Sequence, residues 1–141
     1  MSLATRVVDA LNEELVARAE EIVKAMRGHA EQAGELSKAQ LARAIDVARE
    51  ARSSRVFSNW LAYQAGRKES GEFWSQRVGD RELVNWVRET LAFIERRVGE
   101  EMPSDAEGRR EAVTEALVRF LGFLRRALVG RRYLTEGGSR P

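Results

Sequence analysis

The sequence predicts an all-α fold, a single-domain bundle of about five helices, and three observations carry that expectation. Apolar residues recur at intervals of three and four along most of the chain, the repeat of a one-faced helix. Helix-capping patterns and glycine stops cut this repeat into segments. Strand signals are nearly missing: few β-branched runs, no apolar–polar alternation, no Asn-Gly hairpin turn. A chain of 141 residues is most simply one domain, and a domain of this size buries roughly 70% of its unfolded surface without covalent staples. The expected domain covers 1–134, with 135–141 as a flexible tail.

The first helix rests on Val8, Leu11, Leu15, Ala19, Ile22 and Met26, one narrow apolar stripe. Gly28 and Gly34 bracket a polar stretch that ends it in a loop. Ser37-Lys38-Ala39-Gln40 has capping-box spacing and starts the second helix, whose buried face is Leu41, Ala44, Ile45 and Ala48. Ser53-Ser54 interrupts it. Either serine can cap a third helix carrying Val56, Phe57, Trp60 and Leu61, although the two segments could also fuse into one bent helix. Gly66 marks where the third helix stops.

Residues 68–79 read as a connector pinned to the core by Phe73 and Trp74, with room for one helical turn. Asp80 is the expected N-cap of a helix through Val98, with Leu83, Val87, Leu91, Ile94 and Val98 facing inward. A break follows over Gly99–Pro103. Ser104-Asp105-Ala106-Glu107 is a second capping box. It opens a last long helix through Val113, Ala116, Leu117, Phe120, Leu121, Leu124 and Leu128, ended by Gly130.

Composition removes several functional classes. There is no cysteine, hence no disulfide framework and no thiolate metal site. The one histidine, His29, stands in the glycine-flanked stretch near Glu31 and Glu35. No Glu-x-x-His pair or other set of ligands converges with it, so neither a metal site nor an enzyme is expected, and no cofactor. The first residues lead straight into a charged helical pattern rather than a signal peptide. No apolar run approaches the roughly 20 residues of a membrane span. The cytoplasm is the expected compartment.

The net charge of +2 is segmented. Residues 36–68 carry 7 basic and 2 acidic side chains, giving +5, and 119–141 carry 6 and 1, again giving +5. Residues 69–118 carry 7 basic against 12 acidic, giving −5. Basic blocks built almost wholly from arginine suit a polyanionic partner, although solvated helix surface uses the same residues.

Within these blocks, Tyr63 and Arg67 are four apart and therefore neighbours on a helix, with Lys68 following. Gln64 falls in the apolar face, where it is either sealed by polar partners or turned to a ligand. Arg52, with Arg55 beside it, lies either past the end of the second helix or aimed into a groove. Arg119 and Arg126 are seven apart, on the side opposite the core stripe, with Gly122 leaving bare backbone between them. Planar guanidinium groups at helical spacing suit a phosphate backbone. Trp86 and Phe93, also seven apart, read either as a wide apolar face or as a partner-binding patch.

The run Ser37-Lys38-Ala39-Gln40-Leu41, then Leu61-Ala62-Tyr63-Gln64-Ala65-Gly66-Arg67, then Gly71-Glu72-Phe73-Trp74 resembles the small helical subunit of type III-A CRISPR effector complexes. The resemblance covers 36–98, and the last helix matches only in type. Phe120, Phe123 and Tyr133 precede Gly137-Gly138 without the histidine of that family's closing segment. The resemblance implies a non-catalytic subunit of an antiviral ribonucleoprotein. Such subunits lie as several copies beside other effector subunits and hold crRNA and target RNA on basic surface. It carries over to Tyr63, Gly66 and Arg67, with Lys68 adjacent. The competing expectation is a helical protein–protein adaptor without nucleic-acid binding, supported by Trp86 and Phe93 and by the acidic 69–118 block.

Overall fold

Ser2 starts the first helix by accepting a hydrogen bond from the Thr5 backbone N–H at 3.1 Å, satisfying one of the helix's free donors. In the computed structural model, which describes residues 1–26 and 34–134 (only the backbone over 34–36), the chain forms an all-α bundle. Its elements are α1 (Leu3–Ala25), α2 (Gly34–Ala51), α3 (Ser54–Gly66), α4 (Ser70–Trp74), α5 (Leu83–Glu101) and α6 (Ala106–Val129). A further helical turn covers 131–134. Between α4 and α5 lies a small hairpin of β1 (Arg77–Val78) and β2 (Arg81–Glu82). Gly28, His29 and Glu31, the Glu35 side chain and the 135–141 tail lie outside the described residues.

The apolar stripes read from the sequence form the core, except for Val56 of α3, which is 53% exposed. Val8, Leu11, Leu15, Ala19, Ile22 and Met26 of the first stripe are buried, as are Leu83, Val87, Leu91, Ile94 and Val98 of α5. The first and last helices make the longest seam. They run parallel: Ala4 and Val8 lie beside Ala112, Asp9 beside Arg119, and Val23 and Met26 beside Leu124 and Leu128. Helix α5 runs against α1, with Arg97 paired to Glu14 at 2.9 Å and Arg18 4.1 Å over the Phe93 ring. Helix α2 runs against α6, its Leu41 near Leu124 and Leu128 and its Arg49 near Glu111.

Four aromatic rings fix α3 and α4. Phe57 stands 5.8 Å from Trp60, Trp60 6.4 Å from Trp74, and Trp74 4.8 Å from Phe73. Trp74 is fully buried, so its indole N–H needs an acceptor. Gln40 Oε1 supplies it at 3.1 Å. That bond explains why the capping box at Ser37 is not one. Helix α2 begins at Gly34, Ser37 is buried one turn inside it, and Gln40 faces Trp74.

Other boundaries also shift for local reasons. Asp80 does not cap α5. Gly79 adopts φ +65°, the first position of a two-residue hairpin turn, and Val78 pairs with Arg81 across it. Asp80 is the second turn residue, and a hydrogen bond from Arg81 holds its carboxyl below the ordinary carboxylate range. The N-cap position of α5 falls to Glu82, which makes no side-chain cap bond. Helix α5 also runs past Gly99 to Glu101, and its end is closed by Arg109, which donates to the Met102 and Pro103 carbonyls at 2.8 Å each. The cap of α6 is Asp105 rather than Ser104, accepting from the Gly108 N–H at 2.8 Å.

Two glycines of the Leu61–Phe73 stretch differ in purpose. A β-carbon on Gly71 would sit 2.8 Å from the Ala65 carbonyl oxygen, whereas one on Gly66 would meet nothing within 4 Å. Gly71 lets α4 press on the end of α3; Gly66 is simply its last residue, with Arg67 as C-cap. Gly71→Ala is expected to lose about 1–3 kcal/mol by overpacking. Gly66→Ala should be neutral or gain about 0.4–1 kcal/mol through a stiffer unfolded chain. Urea unfolding of both variants checks the contrast.

Candidate nucleic-acid interface

The corner between α2 and α3 is built from three residues. Helix α2 ends at Ala51, Arg52 turns the chain with φ +51°, and Ser53 caps α3 by accepting from the Val56 N–H at 3.2 Å. The break is therefore real, and Arg52 lies past the helix end. The same end of the bundle receives the first turns of α1 and α6. Two clefts open there. One, of about 320 Å³, lies between α1, α2 and α6 and is lined by Thr5, Arg49, Arg52, Glu111, Glu115 and Arg119 among others. The second, of about 250 Å³, lies between α3, α5 and α6 and holds Ser54, Arg55, Glu95, Arg109 and Arg110.

These arginines fall into two groups. Arg109 closes the end of α5, and Arg119 is held in the α1–α6 seam. Its guanidinium donates to Asp9 at 2.7 Å, Asn12 at 3.2 Å and Glu115 at 3.0 Å. The bond to Asp9 is the main reason that Arg119 holds its proton more tightly than a free arginine. By contrast, Arg49, Arg52, Arg55 and Arg110 are exposed, and their side chains make no hydrogen bond or ion pair among the described residues. Glu95 accepts from Ser54 Oγ at 3.0 Å, and Glu115 is taken by Arg119, so two of the three nearby carboxylates are already engaged.

The corner thus joins Arg52, Arg55 and Arg119 of the sequence-derived set. It does not include the others. Tyr63, Arg67 and Lys68 sit at the far end of α3, about 20 Å away along a 13-residue helix. The Tyr63 ring is 62% exposed, with the Arg67 guanidinium 5.5 Å from its centroid. Gln64 is buried, and its backbone carbonyl accepts from Ser70 Oγ at 2.9 Å where α4 turns beneath α3. It lies on the inner side, away from Tyr63. Arg126 lies two turns beyond Arg119 on α6, exposed and 5.1 Å over the Phe123 ring.

One expectation needs correction. Arg119 is not on an uncovered strip opposite the core: the parallel packing of α1 brings Asp9 and Asn12 to it, leaving its side chain 25% exposed. Of the two readings of Trp86 and Phe93, the structure matches the wide apolar face and not an open patch. Arg81 lies 4.1 Å over Trp86, whose N–H donates to the Val78 carbonyl at 2.7 Å, and Phe93 is buried under Arg18. Sequence reasoning misses Arg49 and Arg110. Arg110 belongs to the acidic block in sequence, so only its position on the first turns of α6 reveals it.

Among the described residues, no group of three or more Asp, Glu or His side chains is placed to hold a metal ion, and no helix is long and apolar enough to cross a membrane. The division of the arginines has a measurable consequence. Arg119→Ala and Asp9→Ala, combined in a double-mutant cycle, are expected to show coupling of about 0.5–1 kcal/mol. Arg55→Ala should change stability by less than about 0.5 kcal/mol, as an exposed residue without partners does. Thermal or urea unfolding reads both.

Compared with known proteins, the chain gives no match to a protein-family model, a curated protein or a solved structure.

Proposed function

We propose that this chain is a non-catalytic RNA-binding subunit, the small helical component of a type III CRISPR ribonucleoprotein effector. In that role it holds crRNA and target RNA on basic helical surface while other subunits act on them. One observation carries the RNA reading: four exposed arginines whose side chains have no partners gather at the α2–α3 corner, three from residues 49–55 and Arg110 from the start of α6. The exposed Tyr63 and Arg67 pair supports it at the far end of α3, since an aromatic ring stacks on any base and a guanidinium contacts any phosphate. Recognition of this kind favours no sequence, as a subunit serving any guide requires. The effector assignment draws on the resemblance of residues 36–98. Partners are then RNA, neighbouring effector subunits and further copies of the chain, in the cytoplasm.

The adaptor reading has lost its aromatic patch, because arginines of the chain itself cover Trp86 and Phe93. It remains an outcome of the test. Non-specific binding lies around 10⁻⁴–10⁻⁶ M at physiological salt, so one copy binds weakly and gains from assembly. A salt titration of single-stranded RNA binding is expected to give a linear log–log plot. Removing Arg67 and Lys68, or Arg49, Arg52 and Arg55, should weaken binding equally for all sequences. The slope should fall by about one for each phosphate that is no longer neutralised. Removing Arg119 should lower stability more than binding. If the wild type binds no RNA at low salt, alone or assembled, the adaptor reading replaces this one.

A further inference from the structure

Arg52 occupies a position that ordinarily belongs to glycine. Its φ of +51° is left-handed, and it is the only described non-glycine residue with a positive φ. A β-carbon is strained there, and strain of this kind persists where the side chain has a use. The Arg52 side chain is exposed, makes no bond among the described residues, and lines the cleft of about 320 Å³ between α1, α2 and α6. Arg49, one turn earlier on α2, lines the same cleft and is equally without partners.

The rest of the cleft carries both signs of charge. Arg119 stands in the lining with its one positive charge already shared between Asp9 and Glu115. The first turn of α1 contributes Ala4 and Thr5, so the positive end of that helix borders the site across from the negative end of α2. Glu111 also lines it and makes no ion pair among the described residues. What favours an anion is the pair Arg49 and Arg52, two unengaged guanidinium forks in one cleft that can meet the tetrahedral oxygens of a phosphate.

We propose that this cleft binds a phosphate group, clasped between Arg49 and Arg52, and that Glu111 weakens the binding. The group can come from an RNA backbone or from a free nucleotide, and the site rests on the RNA reading only for the first source. It differs from general electrostatic attraction in being discrete and saturable.

Arginine Nε–H signals of the full chain, followed by NMR during titration with inorganic phosphate at constant ionic strength, test it. Arg49 and Arg52 should shift and saturate while Arg88 and Arg125, exposed elsewhere, stay still. Arg52→Gly should keep or raise the melting midpoint, because glycine relieves the left-handed backbone, and should abolish the saturable response. Arg49→Gln should weaken it at least several-fold, and Glu111→Gln should strengthen it. Saturation by adenosine monophosphate assigns the free-nucleotide source; saturation by an oligoribonucleotide lacking terminal phosphates assigns the backbone. A uniform, non-saturating shift of all exposed arginines overturns the proposal, as does an Arg52→Gly variant that melts several degrees lower or keeps the phosphate response. If phosphate saturates the cleft but no RNA binds the chain, the RNA reading fails and this site stands. If RNA binds and phosphate does not saturate the cleft, the reverse holds.

Discussion

The fold depends on the seam between α1 and α6, two helices from opposite ends of the chain that lie side by side and parallel. A parallel pair cannot be joined by a short turn. The intervening helices must carry the chain back, and α2 and α5 do so by running antiparallel to the pair. The bundle closes only when its last helix is in place, so burial of Val8, Leu15, Phe120 and Leu124 is cooperative across more than a hundred residues. The same alignment sets the electrostatics. The N-termini of α1 and α6 arrive at one end beside the C-termini of α2 and α5, so the partial charges of the helix ends offset one another there. Asp105 and Glu107 add negative charge at the start of α6. The partner-free arginines at this end share the two clefts with Glu95, Glu111 and Glu115.

Arginine therefore does two kinds of work in this protein. Arg81, Arg97, Arg109 and Arg119 bind carboxylates or carbonyls of the chain itself; Arg97 and Arg119 join segments distant in sequence, and Arg81 and Arg109 tie adjoining elements. Arg18 and Arg81 also lie across aromatic rings, where the flat guanidinium covers apolar surface that lysine would leave bare. Arg49, Arg52, Arg55 and Arg110 do neither. A charge count cannot separate the groups, because Arg119 and Arg126 are adjacent in block and pattern yet differ in what stands opposite them.

That distinction marks how far the sequence could be read. Helix identity, the five main segments and nearly all core positions were legible, because a stripe such as Leu83, Val87, Leu91, Ile94 and Val98 has only one way to be buried. The hairpin was not: two residues per strand leave no alternation to detect, and its turn is Gly-Asp rather than Asn-Gly. The capping box at Ser37 misleads because Gln40 answers to Trp74, a partner 34 residues away. The α2–α3 corner is foreseeable from Ser53-Ser54, and Arg49, Arg52 and Arg55 flank it in sequence, but the arrival of Arg110 follows from the packing of α6 and is invisible to spacing. Tyr63 and Arg67 pair as their spacing predicts because they share one helical stretch.

On the proposed function, the arginines left without partners, and not those within the seams, would form the surface for RNA. Photo-crosslinking of the full chain to 4-thiouridine-labelled RNA at low salt, with the attached peptides mapped by mass spectrometry, tests it most directly. The account predicts crosslinks in 43–68 and at the start of α6, on the corner and along α3 to Tyr63. Crosslinks concentrated on the 77–82 hairpin and the outer face of α5, or none under conditions where RNA is bound, would contradict it.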